Sequence, residues 1–330
     1  MDYLQKLVSK HFPEKIVKKI IIYKLLIKFI LIIISLTFLN NKKVKEIKIA
    51  ICTIGKKENL YIKEYIDYYI KLGVDKIFIY DDNDLNSEKI SDCIGNKYQG
   101  YIKIYQNKKD KLFYNQSEAF TNCYQNIKKI FDWVLMIDMD EYLYIKNDKL
   151  KSYLLKPIFN KCDFIKFHWV HPTDNNHLYY ENKSLFERFK PPYKKSIFIK
   201  SIIRGNISNL KYLVHSPYIS PIRNISCNNM GKIIKNDNID YEYIDKINIG
   251  KAYIIHFNYK STEEFIKKYK RGYSNWFGER INGFLRLKID NYFSDNEITN
   301  EKINYMEKEL KINLSKYKNI LKKSLSISIF

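Results

Sequence analysis

Two rhythms of apolar residues alternate along this chain. Short isoleucine-rich runs of strand length are followed by stretches in which apolar residues return with a helical period. Ile47–Ile54 reads as a strand and is broken by the polar stretch from Gly55 to Asn59. From Leu60 to Leu72, Tyr61, Ile62, Tyr65, Ile66, Tyr69 and Ile70 share one helical face, and Gly73 stops the helix. Lys76–Tyr80 is the next strand and runs into an acidic cluster, Asp81–Asp84. The cycle repeats, with a short helix at Ser87–Ile94, a strand at Tyr101–Tyr105, a helix at Asn115–Ile130 and a strand at Asp132–Ile137. Strands alternating with helices predict an α/β fold, a Rossmann-like mostly parallel sheet flanked by helices.

Further on the rhythm loosens. Phe164–Trp169, Ser196–Ile203 and Ala252–His256 read as strands, the first two joined by a long polar loop. Ser261–Leu287 is a basic, aromatic-rich helical region, and Ile298–Leu325 reads as an amphipathic helical tail. Ahead of all this, a mixed, net basic start leads into an apolar stretch, Ile20–Leu39, interrupted by Lys24 and Lys28. Its clean part, Phe29–Leu39, is shorter than the roughly 20 residues a bilayer-spanning helix needs. Three readings are open: a signal-anchor, an amphipathic helix in the membrane interface, or a helix packed on the folded domain. No small-residue cleavage site follows Leu39, which disfavours a cleaved signal peptide. The pattern divides the chain into an N-terminal apolar helix segment (1–45), a main domain (46–290) and a helical C-terminal tail (291–330).

The formal net charge of +22 is spread over 330 residues, with lysines almost everywhere. A solvated basic surface is the first reading, and a face for an anionic partner is the second. No RNA-binding signature or zinc-finger spacing occurs, so no nucleic acid partner is expected. The five cysteines are odd in number and form no C-x-x-C, a pattern of free thiols in a reducing compartment. No G-x-G-x-x-G follows the first strand and no G-x-x-x-x-G-K-[ST] occurs, which disfavours a dinucleotide dehydrogenase and a P-loop nucleotidase.

The stretch with most chemistry is Trp133–Tyr142, where a buried-looking apolar strand runs into Asp138, Asp140 and Glu141. Open α/β sheets bind ligands at the carboxyl ends of their strands. Two carboxylates one residue apart repel each other there unless a divalent cation sits between them, and such oxygen ligands suit Mn²⁺ or Mg²⁺. A pair of solvated turn acids is the plainer alternative. Asp81 and Asp82 would lie on the same rim.

In order and spacing these stretches resemble the glycosyltransferase family 2-like and family 92-like group, the relatives of domain of unknown function 23, whose GT-A fold carries an Asp-X-Asp metal site. The resemblance runs over about residues 47–275. It rests on Lys57-Glu-Asn59, Glu64–Val74, Ile79–Asp82 and Asp138–Tyr142, then on Trp169 with Asp174-Asn175, Glu187-Arg-Phe189, Lys200–Arg204, His215, His256–Ser261 and Lys270-Arg-Gly272. Tyr69, Gly205 and Phe257 depart from it, standing where the group favours histidine, proline and tyrosine.

The resemblance implies a metal-dependent, inverting transfer of a sugar from a nucleotide-sugar donor, a UDP-sugar by expectation, to a glycan or lipid-linked acceptor hydroxyl. In that reading Asp140 and Asp138 hold the metal, and His256 is either a further ligand or a buried histidine bonded to backbone. Thr53, Glu58, Asp81, Asp82 and Asp138 border the nucleotide, while Arg204, Lys200 and Arg271 neutralise the diphosphate. Asp174 is the chosen base, with Glu187 as the fallback; an Asx-turn and an ion pair with Arg188 are their plainer readings. Trp169 is an acceptor platform or core. The expected setting is membrane-associated, with the catalytic domain on the cytoplasmic face. Two other classes use the same residues: a metal-dependent nuclease or phosphotransferase, and a non-catalytic membrane-associated glycan-binding module.

Overall fold

The computed structural model describes residues 46–84, 86–106, 116–213, 215–219, 224–234, 249–270 and 280–327, and in the first segment residues 13, 19, 22–23 and 25–33. The chain divides into two compact units, Met1–Glu46 and Ile47–Phe330. In the first, residues 25–33 are helical, and Leu25, Leu26, Ile27 and Phe29 through Ile33 are exposed. Among the described residues no helix is long and apolar enough to cross a membrane. The rest of the apolar stretch 20–39, Lys24 included, lies outside them.

Among the described residues the second unit is a mixed α/β fold around a nine-stranded sheet. Its strands are β1 (Ile49–Gly55), β2 (Lys76–Asp81), β3 (Ile102–Gln106), β4 (Trp133–Met136), β5 (Glu141–Ile145), β6 (Phe164–His171), β7 (Lys194–Arg204), β10 (Ser226–Asn228) and β11 (Ala252–His256), while β8 (Leu210–Tyr212) and β9 (Pro217–Ile219) form a separate pair. The order is β3-β2-β1-β4-β7-β6-β11-β5, with β10 on β6. The β3-β2-β1-β4 half is parallel throughout, as its strand–helix alternation predicts. The sheet stays mostly parallel beyond it, since β6 is parallel to both β11 and β10. Only two strands are reversed: β7, antiparallel to β4 and β6, and β5, antiparallel to β11.

Period-two alternation sends the same strands into two cores. Ile49, Ile51, Ile77, Ile79, Trp133 and Leu135 face the helix Ile62–Leu72 through Tyr65, Ile66 and Tyr69. Ala50, Cys52, Phe78, Tyr80, Val134 and Met136 face the helix Gln116–Ile127 through Phe120, Cys123 and Tyr124. Gly73 ends the first helix at φ 104°, a left-handed cap open to glycine at no steric cost. The predicted helix at Ser87–Ile94 is a single 3₁₀ turn, Ile90–Cys93.

The predicted boundary at residue 290 does not hold. It falls inside the helix Arg280–Asp295, whose Ile289, Tyr292 and Phe293 share a third apolar cluster with Phe265, Ile303, Met306 and Tyr317. The tail is two helices, Asn300–Leu310 and Ser315–Ile327, and the first ends at Lys311 with φ 54°. The free-thiol expectation is also corrected. Cys52 pairs with Cys123 and Cys162 with Cys227, leaving Cys93 unbridged. The partners are 71 and 65 residues apart in sequence and meet only through the fold, so short-range spacing gives no sign of them. The reducing compartment rested on those thiols, whereas disulfides persist in oxidising ones.

Candidate active site

Because β1, β2 and β4 are parallel neighbours, their carboxyl ends emerge on one rim at Gly55, Asp81-Asp82 and the turn 137–140. The turn is tied at both ends. The Asp138 N–H donates to Glu141 Oε2 at 3.0 Å, and the Glu141 N–H donates to the Asp138 carbonyl at 3.2 Å. The Phe257 N–H donates to the Asp140 carbonyl at 2.8 Å, so β11 holds the turn from the far end of the chain. Tyr69, one of the departures from the group's pattern, brackets β5, since its hydroxyl donates to the Glu141 carbonyl and accepts from the Leu143 N–H. Met139 lies against Gly55, where a Cβ would stand 2.2 Å from its sulfur. Glycine at 55 lets the middle residue of the acidic turn bury itself.

A cavity of about 770 Å³ opens over this rim. Gly55, Lys56, Glu58 and Asp82 line it from the β1 and β2 ends, and Asp138, Asp140, His256 and Lys268 from the acidic turn, β11 and the helix Thr262–Lys270. Trp169, His171, Lys194, Phe198 and His215 come from β6, β7 and the segment after β8. The helix Arg280–Asp295 closes the set with Lys288, Asn291, Ser294 and Asp295.

The acids of the turn are compensated by lysines. Lys200 Nζ, fully buried, is 3.0 Å from Asp138 Oδ2 and 3.9 Å from Glu141 Oε1, and Gln116 Nε2 donates to Asp138 Oδ1. Burial opposes the Lys200 charge, but Asp138 and Glu141 outweigh it and raise its pKa. Glu141 is pushed well above the carboxylate range by burial, against the pull of Lys200 and with the neighbouring Asp138 and Asp140 adding to it. Lys268 Nζ donates to Asp140 Oδ2 at 2.7 Å. Burial alone would raise the Asp140 carboxyl, yet Lys268 and His256 hold it well below its ordinary value. His256 moves the other way, its pKa lowered by burial despite the nearby Asp140. His171 and His215 are pushed down to about 3 and about 2, chiefly by burial, so both imidazoles are neutral at neutral pH.

His256 Nε2 and Asp140 Oδ1 are 3.6 Å apart at the cavity. That exceeds a hydrogen bond but lets both atoms reach one small cation at about 2.1 Å. The ionised carboxylate suits Mn²⁺ or Mg²⁺, and the neutral imidazole favours the transition metal Mn²⁺ over Mg²⁺, which prefers oxygen. No group of three or more His, Cys, Asp or Glu side chains among the described residues forms a complete cage, so water or substrate oxygens would supply the remaining ligands.

The predicted site residues divide sharply. Glu58, Asp82, Asp138, Asp140, His256 and Trp169 all line the cavity. Thr53 is fully buried and is not among the lining residues. Asp81 is buried too and organises its own loop, accepting from the N–H groups of Asn83 and Ile90. Glu58 reaches the cavity but is bound to buried Lys260 at 3.0 Å. Three expectations are corrected by position. Asp174 is 1% exposed, pairs with Lys302 at 2.7 Å and accepts from the Tyr292 hydroxyl, so it fastens the C-terminal helices and does not face the cavity. Glu187 caps the short helix Leu185–Arg188 in a reciprocal pair with Ser184. Arg204 sits beside Trp133, at the opposite end of β4 from the acidic turn, and donates to the carbonyls of Cys162 and Phe159. Lys200 is fully buried beneath Asp138, and Arg271 lies outside the described residues.

Sequence reasoning missed Lys268, Lys288 and Asp295. Lys288 and Asp295 are separated by seven residues and Asn291 stands between them, a spacing that repeats on one helical face and was legible as such. Lys268 had no such signal among 58 basic residues.

The model of glycosyltransferase family 92 matches residues 45–313. A rice protein, glycosyltransferase family 92 protein Os08g0121900 of Oryza sativa subsp. japonica, is 27% identical over 115 residues, 33% of this chain and 19% of its own length. Glycosyltransferase family 92 protein RCOM_0530710 of Ricinus communis is 28% identical over 101 residues, 30% of this chain and 17% of its own. The matches thus span less than a fifth of either relative.

Proposed function

The chain belongs to glycosyltransferase family 92, and from that premise we propose that it transfers a sugar, with inversion, from a nucleotide-sugar donor to a hydroxyl of a glycan or lipid-linked acceptor. The observation that carries the proposal is the convergence of Asp82, Asp138, Asp140, His256 and Lys268 on one cavity at the carboxyl rim of a parallel half-sheet.

In this reading Asp82 and Glu58 border the nucleoside end, and Lys268 and Lys288 bring positive charge to the diphosphate. Asp140 and His256 would hold Mn²⁺ or Mg²⁺, with Asp138 beside them. Such an ion supplies Lewis-acid neutralisation of the departing diphosphate. Lys268 keeps Asp140 ionised and oriented. Lys200 and Gln116 fix both oxygens of Asp138, so the turn is set before substrate arrives.

The same proposal includes work at a membrane surface. Residues 25–33 support it, because a helix whose exposed side chains are apolar except for Lys28 gains by leaving water, while a lysine can reach back to the surface. Liposome flotation of the full chain, compared with a chain lacking residues 1–45, tests that part; equal flotation of the two refutes it.

The catalytic reading is tested with Asp140→Asn. The variant is expected to lose transfer by at least a hundredfold and to lose the Mn²⁺-dependent rise in melting temperature given by UDP. Its own melting curve should stay cooperative. Undiminished transfer by Asp140→Asn would end the proposal.

A further inference from the structure

With Asp174 and Glu187 placed away from the cavity, neither base expected from the sequence can take the proton of an incoming hydroxyl. We propose that Asp295 is that base, an inference that rests on the sugar-transfer reading above.

Among the described residues, four acidic ones besides Asp295 line the cavity. Glu58 is paired with buried Lys260, Asp138 with Lys200 and Asp140 with Lys268, while Asp82 sits at the β2 end among the residues assigned to the nucleoside. Asp295 belongs to a different part of the lining, with Ser294 against it. It too has an ion pair, but its partner Lys194 is 47% exposed and free to swing away, where Lys200, Lys260 and Lys268 are largely buried. It is the last residue of the helix Arg280–Asp295. That helix turns Lys288, Asn291 and Asp295 to the cavity and commits Ile289, Tyr292 and Phe293 to an apolar cluster, so the carboxylate is carried on an anchored element.

Its hydrogen bonds leave room for a substrate. The Tyr259 hydroxyl donates to Oδ2 at 2.6 Å, Lys194 Nζ donates to Oδ1 at 3.0 Å, and Ser294 Oγ reaches Oδ1 at 3.3 Å. An ionised carboxylate accepts about four hydrogen bonds, so a position remains for an acceptor hydroxyl. The side chain is 26% exposed and open to approach. Burial would raise its pKa, but Tyr259 and Lys194 more than offset that and keep it below the ordinary value. His171 also faces it and is neutral at neutral pH.

In the step, the acceptor oxygen forms a bond to the anomeric carbon while its proton passes to Asp295. The bond from that carbon to the diphosphate oxygen breaks, and its electron pair leaves with the nucleoside diphosphate. Charge and atoms balance without a further reactant.

The test uses the full chain with Mn²⁺, with UDP-glucose, UDP-galactose and UDP-N-acetylglucosamine as donors and an oligosaccharide pool as acceptor. Asp295→Asn is expected to lower kcat at least a hundredfold, within the range a general base supplies, while the melting-temperature rise given by UDP stays as in the wild type. Tyr259→Phe removes a hydrogen bond to the ionised form and so raises the Asp295 pKa. The acid limb of its kcat/KM profile should move to higher pH, with transfer recovering above that limb. Transfer by Asp295→Asn within threefold of the wild type overturns the assignment. If that variant fails to fold, an unmoved acid limb in Tyr259→Phe overturns it instead. A wild type that turns over none of the donors, and whose melting UDP leaves unchanged, overturns the transfer reading itself and this inference with it.

Discussion

Lys200→Met tests whether the acidic turn is held by buried charge. The ammonium is fully buried, 3.0 Å from Asp138 and 3.9 Å from Glu141. At an effective dielectric of about 20, the separation from Asp138 corresponds to a gross attraction of about 5 kcal/mol. Glu141, its pKa raised well above the carboxylate range, adds little as long as it keeps its proton. Several kcal/mol of that offsets the cost of taking the ammonium out of water. Methionine fills nearly the same volume, so the loss is almost purely electrostatic and leaves Asp138 without its counter-charge. Removing one partner of such a cluster costs about 3–5 kcal/mol, a large part of a typical folding stability of about 5–15 kcal/mol. In a chain of this size that is a fall in Tm on the order of 5–10 °C.

The pH dependence has a definite sign. The Glu141 pKa is raised in the folded state, by burial above all, so the folded protein takes up its proton more readily than the unfolded chain. Without Lys200 the stability supplied by that proton is present at low pH and is lost as pH rises through the folded pKa. The deficit of Lys200→Met should therefore be smaller below the folded Glu141 pKa, where the group is neutral with or without Lys200, and grow as pH rises through it. Adding Glu141→Gln to Lys200→Met should recover part of the loss above that pKa. Calorimetry or urea unfolding across a pH series reads these differences. A variant melting within a degree or two of the wild type at pH 7, or a deficit that grows on acidification, refutes the reasoning.

Three further outcomes follow from contacts already described. Lys302→Met strips the counter-charge from buried Asp174 and should cost about 3–5 kcal/mol in urea unfolding, while kcat at a permissive temperature stays within threefold. A hundredfold kcat loss in a folded Lys302→Met would give Asp174 a part in the chemistry. Alkylation of the denatured, unreduced protein followed by mass spectrometry should label one cysteine, Cys93, and all five after reduction; five labelled without reduction would restore the free-thiol picture. Gly55→Ala brings a Cβ against Met139 and should lower kcat at least tenfold by displacing the Asp138–Asp140 turn, with a smaller effect on Tm. Unaltered kinetics would show that Met139 simply swings aside.

What was legible in the sequence is what short-range periodicity can encode. The β1-to-β4 series and its helices follow from runs of strand and helix length, and the series by itself brings Asp82, Asp138 and Asp140 to one rim. Arg204 shows the limit. Its apolar run identifies a strand, but only the pairing reveals that β7 runs antiparallel to β4 and carries Arg204 away from the acids. Strand β5 went unseen because Glu141 reads as part of an acidic loop, although Tyr142 and Leu143 after it are fully buried. Asp174 and Glu187 lie in irregular chain, where nothing local distinguishes an acid that caps or clamps from one that reacts. Gly205, another departure from the group's pattern, is explained by space: a Cβ there would stand 2.0 Å from the Phe131 carbonyl, and its N–H donates to Asp132. A proline would supply the clash and lose the bond.

The placement of β11 bears on the order in which the protein is made. Strand β5, which follows directly from the acidic turn, is the edge of the sheet and has β11 as its neighbour there. Residues 138–145 leave the ribosome more than a hundred residues before the strand that pairs His256 with Glu141. During synthesis the parallel half-sheet can assemble while the acids at its rim still lack the backbone bond from Phe257. Pairing over such a separation is slow to find, and an unpaired strand edge is prone to wrong partners in the meantime. A nascent chain arrested before residue 252 would thus carry a nearly complete sheet and an unfinished catalytic rim.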